Sequence, residues 1–250
     1  MIQLGDLAQL GILAVAAVLL IIITAWKRRH PAKLREIPAL MRLYRSIGLS
    51  VEDGTRLHIS LGSGGLLSAR GGSAFAGLAA LRHISEKTSV SDMPPVASAG
   101  DPVLGLLTQA TLQAGYQAAG VDELYVPTSG RITGMSPFGF AAGAMPITSN
   151  ENVSANILLG HFGAEAALIA DASDRENVVL IGASDDLVGQ SVLFASSQEP
   201  LIGEELFASG AYIGAFASHA ASLTVQDVFR WLIVLGLLAG SFLKFFGMSF

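Results

Sequence analysis

Two long apolar runs bracket a middle in which apolar and polar positions change over on a much shorter scale. Residues 7–26 read LAQLGILAVAAVLLIIITAW, twenty residues without a charge and with only Gln9 and Thr24 clearly polar. At about 1.5 Å rise per residue, such a run matches the roughly 30 Å hydrocarbon core of a bilayer. The second run is shorter: residues 231–243, WLIVLGLLAGSFL, are thirteen uncharged residues between Arg230 and Lys244. With both cations reaching toward opposite interfaces, residues 230–250 are long enough to span. Gly236 and Gly240 form a GxxxG step inside it. That spacing clears one helix face for another backbone, within one subunit or between subunits.

Between the runs the periodicity predicts alternating strands and helices. Pro38 opens a helix with Leu40, Leu43 and Ile47 on one face, and Gly48 can end it. LHISL at residues 57–61 alternates as a strand does, and a helix follows over residues 73–86. A short strand is expected at residues 96–99. Asp101-Pro102 then marks a helix start, a capping carboxylate followed by proline at the first helical position, and Gly120 marks its stop. Residues 124–126 read as a third strand. Residues 127–152, interrupted by Pro127, Gly130, Gly134, Pro137 and Gly139, resist assignment and suit a functional loop or an interface. Further on, residues 155–159 read as strand, 164–172 as helix, and VVLI at 178–181 as a buried parallel strand. Residues 191–195 look like another strand and 200–209 another helix, and residues 218–227 lead as helix into the second apolar run. The alternation predicts an α/β fold, a largely parallel, doubly wound, Rossmann-like sheet flanked by two terminal transmembrane helices. The expected division is 7–26 transmembrane helix, 27–54 basic juxtamembrane segment, 55–217 α/β domain and 218–250 C-terminal helix.

Charge sharpens this picture. Only Asp6 is ionisable before the first run, whereas Lys27, Arg28, Arg29, Lys33 and Arg35 follow it. A cleaved signal peptide carries its positive charge in front, so a retained anchor is expected. By the positive-inside rule the N-terminus lies outside and the α/β domain on the cytoplasmic side of the cell (inner) membrane. The five cations lie where anionic headgroups would be, which makes the lipid bilayer the first expected partner. From residue 46 to 227, six basic side chains stand against eighteen acidic ones, a net of −12, which opposes nucleic-acid binding. The chain has no cysteine, which excludes disulfides, thiolate metal sites and cysteine nucleophiles.

The chemistry-bearing text is sparse. Gly62-Ser63-Gly64-Gly65 follows a strand and precedes a helix, where glycines can turn backbone N–H groups toward an anion. The full GxGxxG pattern fails because Leu67 occupies the last glycine position, and no GK[ST] follows. The loop also reads simply as a tight connection. Gly182-Ala183-Ser184-Asp185-Asp186 follows the VVLI strand in the equivalent position. Asp185 and Asp186 suit a ribose hydroxyl or a cation, and they equally suit capping of the next helix, with Ser184 or Asp185 as a good N-cap. His161 and Glu165 lie four apart, but a metal site needs three or four ligands. His58 and His83 are isolated, with His58 facing away from the apolar side of its strand, and Glu204 and Glu205 are expected to face water. No HExxH and no GxSxG are present, so no catalytic residue, metal or cofactor is expected.

The text HFGAEAALIADA from His161, the GASDD that follows, and QEPLIGEELFASGAYIG from Gln198 together resemble a family of bacterial membrane proteins of unknown function. That resemblance covers most of residues 35–246. It implies an N-terminal anchor, a middle domain with LGSGG-like text after its first strand, and a C-terminal apolar helix, and it implies no activity. Three functions compete. The first is a non-enzymatic, membrane-anchored scaffold forming homo-oligomers, motivated by alanine-rich faces and the GxxxG step. The second is a membrane-tethered nucleotide or small-molecule binding module built on Gly62, Ser63, Gly64, Gly65 and Asp185. The third, an enzyme, rests on fold analogy alone.

Overall fold

The computed structural model describes residues 4–30, 34–68, 71–213 and 217–246. The chain forms two compact units, Met1–Leu34 with Ala215–Phe250, and Arg35–Gly214. The first unit begins with helix α1, Leu4–Arg29. Between Asp6 and Lys27 its text is uncharged and holds no proline, and Lys27, Arg28 and Arg29 in its last turn suit the negative end of the helix dipole.

The second unit opens with α2, Pro38–Glu52, which buries Leu40, Leu43 and Ile47 and runs straight through Gly48. Five strands and six helices then follow. They are β1 Arg56–Gly62, α3 Gly71–Thr88, β2 Val96–Ala99, α4 Pro102–Ala119, β3 Gly130–Ile132, α5 Pro137–Asn150, β4 Val153–His161, α6 Ala166–Arg175, β5 Val179–Ser184, α7 Leu187–Ser196 and α8 Glu205–Ile213. All four strand pairings are parallel and the order is β3-β2-β1-β4-β5. The α/β, parallel, doubly wound class expected from the sequence is therefore the fold observed.

One face of the sheet presents Leu57, Ile59 and Leu61 of β1 to α2, α3, α4 and α8, in the larger core. The other face packs Leu158 and Leu180 against Phe140, Ala144, Ile169 and Leu193 of α5, α6 and α7. Because helices cover both faces, β1 is buried along nearly its whole length, as parallel sheets require. The outer edge of β5 is closed by the chain that follows α7. The Gln198 Oε1 accepts the Leu180 N–H at 2.9 Å, and the Leu201 N–H donates to the Gly182 carbonyl at 3.0 Å.

Three further local expectations fail, each for a physical reason. Residues 124–126 form no strand: Asp122–Leu124 is a single tight turn, Pro127 has no N–H for a ladder, and the third strand comes later at Gly130–Ile132. The unassigned stretch contains α5, whose start is fixed by Ser136 accepting the Gly139 N–H, with Pro137 at the first turn and Pro146 inside the helix. Residues 191–195 belong to α7, because Asp186 caps that helix by accepting the Val188 and Gly189 N–H groups. The cap is thus Asp186 and neither Ser184 nor Asp185.

The chain closes with α9, Ala217–Phe245, which continues residues 218–227 into the apolar run without a break and packs against α1 within the first unit. Over Gln9–Arg29 the mean hydropathy is 2.4 and over Ala217–Phe245 it is 1.7, with neither apolar window buried. Both helices are long and apolar enough to cross a membrane.

Candidate ligand site at the reversal of strand order

The strand order reverses between β1 and β4. From β1 the chain first moves outward through β2 to β3, then returns to β4 on the other side of β1. In open parallel sheets the connections leaving the two strands at such a point part to opposite faces and leave a crevice, the usual ligand position. Here those connections are Gly62-Ser63-Gly64-Gly65 after β1 and His161 to Glu165 after β4.

Gly62 has φ +80°, and a Cβ on it would sit 2.2 Å from the His161 carbonyl oxygen, so only glycine fits. Its carbonyl accepts the Gly100 N–H at 2.9 Å, while the Ser63 N–H donates to the His161 carbonyl at 3.0 Å. These bonds tie the ends of β1, β2 and β4 together. Gly64 faces the His161 ring, and a Cβ there would lie 2.5 Å from the His161 Cβ. Among the described residues the N–H groups of Gly64 and Gly65 donate to no backbone group, and a glycine loop of this kind can turn such groups toward an oxyanion.

Two side-chain pairs complete the crevice. The His161 Nδ1–H donates to Asp185 Oδ1 at 2.6 Å, with both side chains mostly buried. Glu165 is buried, and its Oε1 accepts the Ser63 hydroxyl at 3.2 Å and the Gly163 N–H at 2.9 Å. Asp101 borders the loop from the end of β2, with its Oδ1 taking the Leu104 N–H at 2.9 Å as the cap of α4. The structure thus brings together Gly62, Ser63, Gly64, Gly65 and Asp185 from distant parts of the chain. It adds His161 and Glu165 in separate roles, not as a shared metal pair. Among the described residues no group of three or more His, Asp or Glu side chains could hold a metal ion. The available signal was positional: HFGAE and GASDD both follow apolar runs, but only the strand order makes them neighbours.

His58 lies on the side of β1 opposite Leu57, Ile59 and Leu61, as expected, but it is not isolated. It is fully buried, with Nδ1 bonded to Asn156 Oδ1 at 2.8 Å and Nε2 bonded to the Ser98 hydroxyl at 2.9 Å. Asn156 donates onward to Thr148 of α5 at 2.9 Å and to Ser173 of α6 at 2.7 Å. This chain of bonds crosses β1, β2 and β4 under the helical layer. Burial pushes the His58 pKa down to about 4, against the opposing effects of Asn156 and Glu151 and with a small contribution from Arg131. Nearby, Glu151 pairs with Arg56 at 2.6 Å and with Arg131. Burial raises its pKa, but the two guanidiniums more than offset that and hold it below 4.5. These groups secure the sheet and stand apart from the crevice.

The remaining expected site residues lie elsewhere. Lys27, Arg28 and Arg29 end α1, and Lys27 lies 5.8 Å over the Trp26 ring. Lys33 lies outside the described residues, and Arg35 pairs with Glu205 at 2.6 Å within the α/β unit. Among the described residues, a Cβ on Gly236 or Gly240 would meet no atom within 4 Å. Neither a curated protein nor a solved structure matches the chain. The family model described as a domain of unknown function, DUF6754, matches residues 6–250, and the chain belongs to that family.

Proposed function

We propose that this is a membrane-anchored binding protein whose α/β unit takes a small phosphate-bearing ligand in the crevice between β1 and β4. The observation that carries the reading is the glycine loop at the reversal of strand order, flanked by His161–Asp185 and Ser63–Glu165. The Gly64 and Gly65 N–H groups suit phosphate oxygens, and the carboxylates suit hydroxyl or ammonium groups on the same ligand. The basic end of α1 favours a cytoplasmic position for this unit on the cell membrane. Thermal unfolding of the detergent-solubilised full chain with a panel of phosphate-bearing molecules, from nucleotides and dinucleotides to glycerophosphodiesters, tests the reading. At least one should raise the wild-type midpoint and leave Gly64→Val unmoved. No stabilisation by any member would overturn it.

A second reading, self-association into a homo-oligomer, is favoured by the open faces of Gly236 and Gly240. A strip without side chains lets a second α9 approach closely. Energy transfer between labelled chains in vesicles should fall in Gly236→Ile/Gly240→Ile, and wild-type chains that show no transfer would end this reading.

A further inference from the structure

Because every pairing in the sheet is parallel, all the connections leaving the strands' C-terminal ends emerge at one end of the sheet, around the crevice. That end carries large apolar side chains in the open. Leu67 follows β1, Leu106 lies in the second turn of α4, Met135 joins β3 to α5, Phe138 lies in the first turn of α5, and Leu187 and Val188 begin α7. All six are more than half exposed. The one cation of these connections, Arg70, lies outside the described residues, and the acids among the described ones are engaged inward. Asp101 and Asp186 cap helices, Asp185 holds His161, and Glu165 takes Ser63 and Gly163.

The opposite end is built differently. Its connections expose Glu52, Lys87, Asp92, Asp122, Glu123 and Glu176, so the apolar residues there, such as Val90, sit among charges. A solvated unit rarely leaves so many large apolar side chains in the open around one end, whereas a unit seated on a bilayer does so, with charged residues such as Arg35 and Glu36 beside them.

The chain's entry point names the occupant. α2 runs down the sheet and ends just before β1 starts, so its first turn at Pro38 belongs to the apolar end. Arg35 precedes that turn and pairs with Glu205, and the neighbouring Phe207 meets the start of α3 at Gly72. Only residues 30–34 separate Arg35 from α1, a helix long and apolar enough to cross a membrane.

We propose that the C-terminal end of the sheet is a bilayer-contacting face. Leu67, Leu106, Met135, Phe138, Leu187 and Val188 rest in the headgroup region, and the crevice they ring receives the phosphate head of a glycerophospholipid. The second half rests on the phosphate-binding reading above; the first does not. The carboxylates around the crevice favour a head carrying an ammonium or hydroxyls beyond its phosphate over a bare anionic one.

The absence of cysteine makes a clean test possible. Leu67→Cys, Met135→Cys and Leu187→Cys, with Val90→Cys as the control from the opposite end, are each labelled with an environment-sensitive fluorophore. The full chain is then placed in vesicles of phosphatidylcholine and phosphatidylethanolamine. The three rim labels should be quenched several-fold more than the control by nitroxide-bearing lipid and shielded from aqueous iodide. Rim labels as open to iodide as the control would overturn the proposal, and so would labels shielded from both quenchers, which would mean that protein covers this face. Stabilisation of the solubilised chain by a short-chain phosphatidylcholine should be lost in Gly64→Val. If it persists while the rim labels remain lipid-quenched, the headgroup assignment alone falls and the bilayer contact stands.

Discussion

At the scale of single residues, Gly62 holds the site together through two constraints acting at once. Its φ of +80° excludes most side chains, and the His161 carbonyl occupies the place of its Cβ. Gly62→Ala therefore combines left-handed strain with a backbone clash and should cost about 2–5 kcal/mol, read as a lowered denaturation midpoint. His58 gives a different signature. A histidine whose folded pKa of about 4 lies below its unfolded value contributes its full stability above pH 6.5 and loses it as the pH falls toward 4. The unfolding midpoint should drop across that window, and His58→Gln should flatten the drop. Glu151 acts in a lower window, because its depressed carboxyl withdraws stability only as the pH falls below 4.5. An unchanged slope between pH 6.5 and pH 4.5 in His58→Gln would remove His58 as the cause. The sequence showed His58 on the side of its strand opposite Leu57, Ile59 and Leu61, and that much is correct. Alternation cannot tell whether that side meets water or a second helical layer, and here the layer formed by α5 and α6 encloses it.

At the scale of elements, legibility followed the strength of the end signals. α4 carries Asp101 as cap, Pro102 at its first turn and Gly120 in the left-handed conformation at its end, so its limits are written in the chain. α7 has an equally good cap in Asp186, but its uncharged text, SVLFA, reads as a strand because nothing in it marks a polar face. α5 is hidden by Gly139, Gly143 and Pro146, which lower helix propensity, while tertiary packing of Phe140, Ala141 and Ala144 restores the helix. β3 has only three residues, too few for any alternation to register. The cap of α4 permits a test confined to that element. Asp101→Ala should cost about 1 kcal/mol through loss of the bond to the Leu104 N–H, whereas Asp101→Asn, which can still accept that bond, should cost much less. Equal losses in the two variants would show that the charge, and not the cap, sustains the turn.

For the whole molecule, the parallel α/β class and the two terminal apolar helices were legible because both rest on runs of apolar residues. The candidate site was legible only as fragments. Gly62 and Asp185 are far apart along the chain, and no local pattern says that β4 returns beside β1 on the side away from β2. Orientation rests on a sequence signal again. Lys27, Arg28 and Arg29 end α1, while the described part of the other flank lacks any comparable cluster. Translocating three cations is unfavourable against the membrane potential, so the basic end should stay in the cytoplasm and carry Arg35–Gly214 with it. With Val90→Cys as the chain's only thiol, a membrane-impermeant maleimide should label it in inverted vesicles and leave it untouched in right-side-out vesicles until detergent is added. Replacing Lys27, Arg28 and Arg29 by Gln should blur that difference, because the charge bias that selects one orientation would be gone. Labelling of the wild-type-flanked thiol from the outside would place the α/β unit on the opposite face and assign the basic flank a role other than topology.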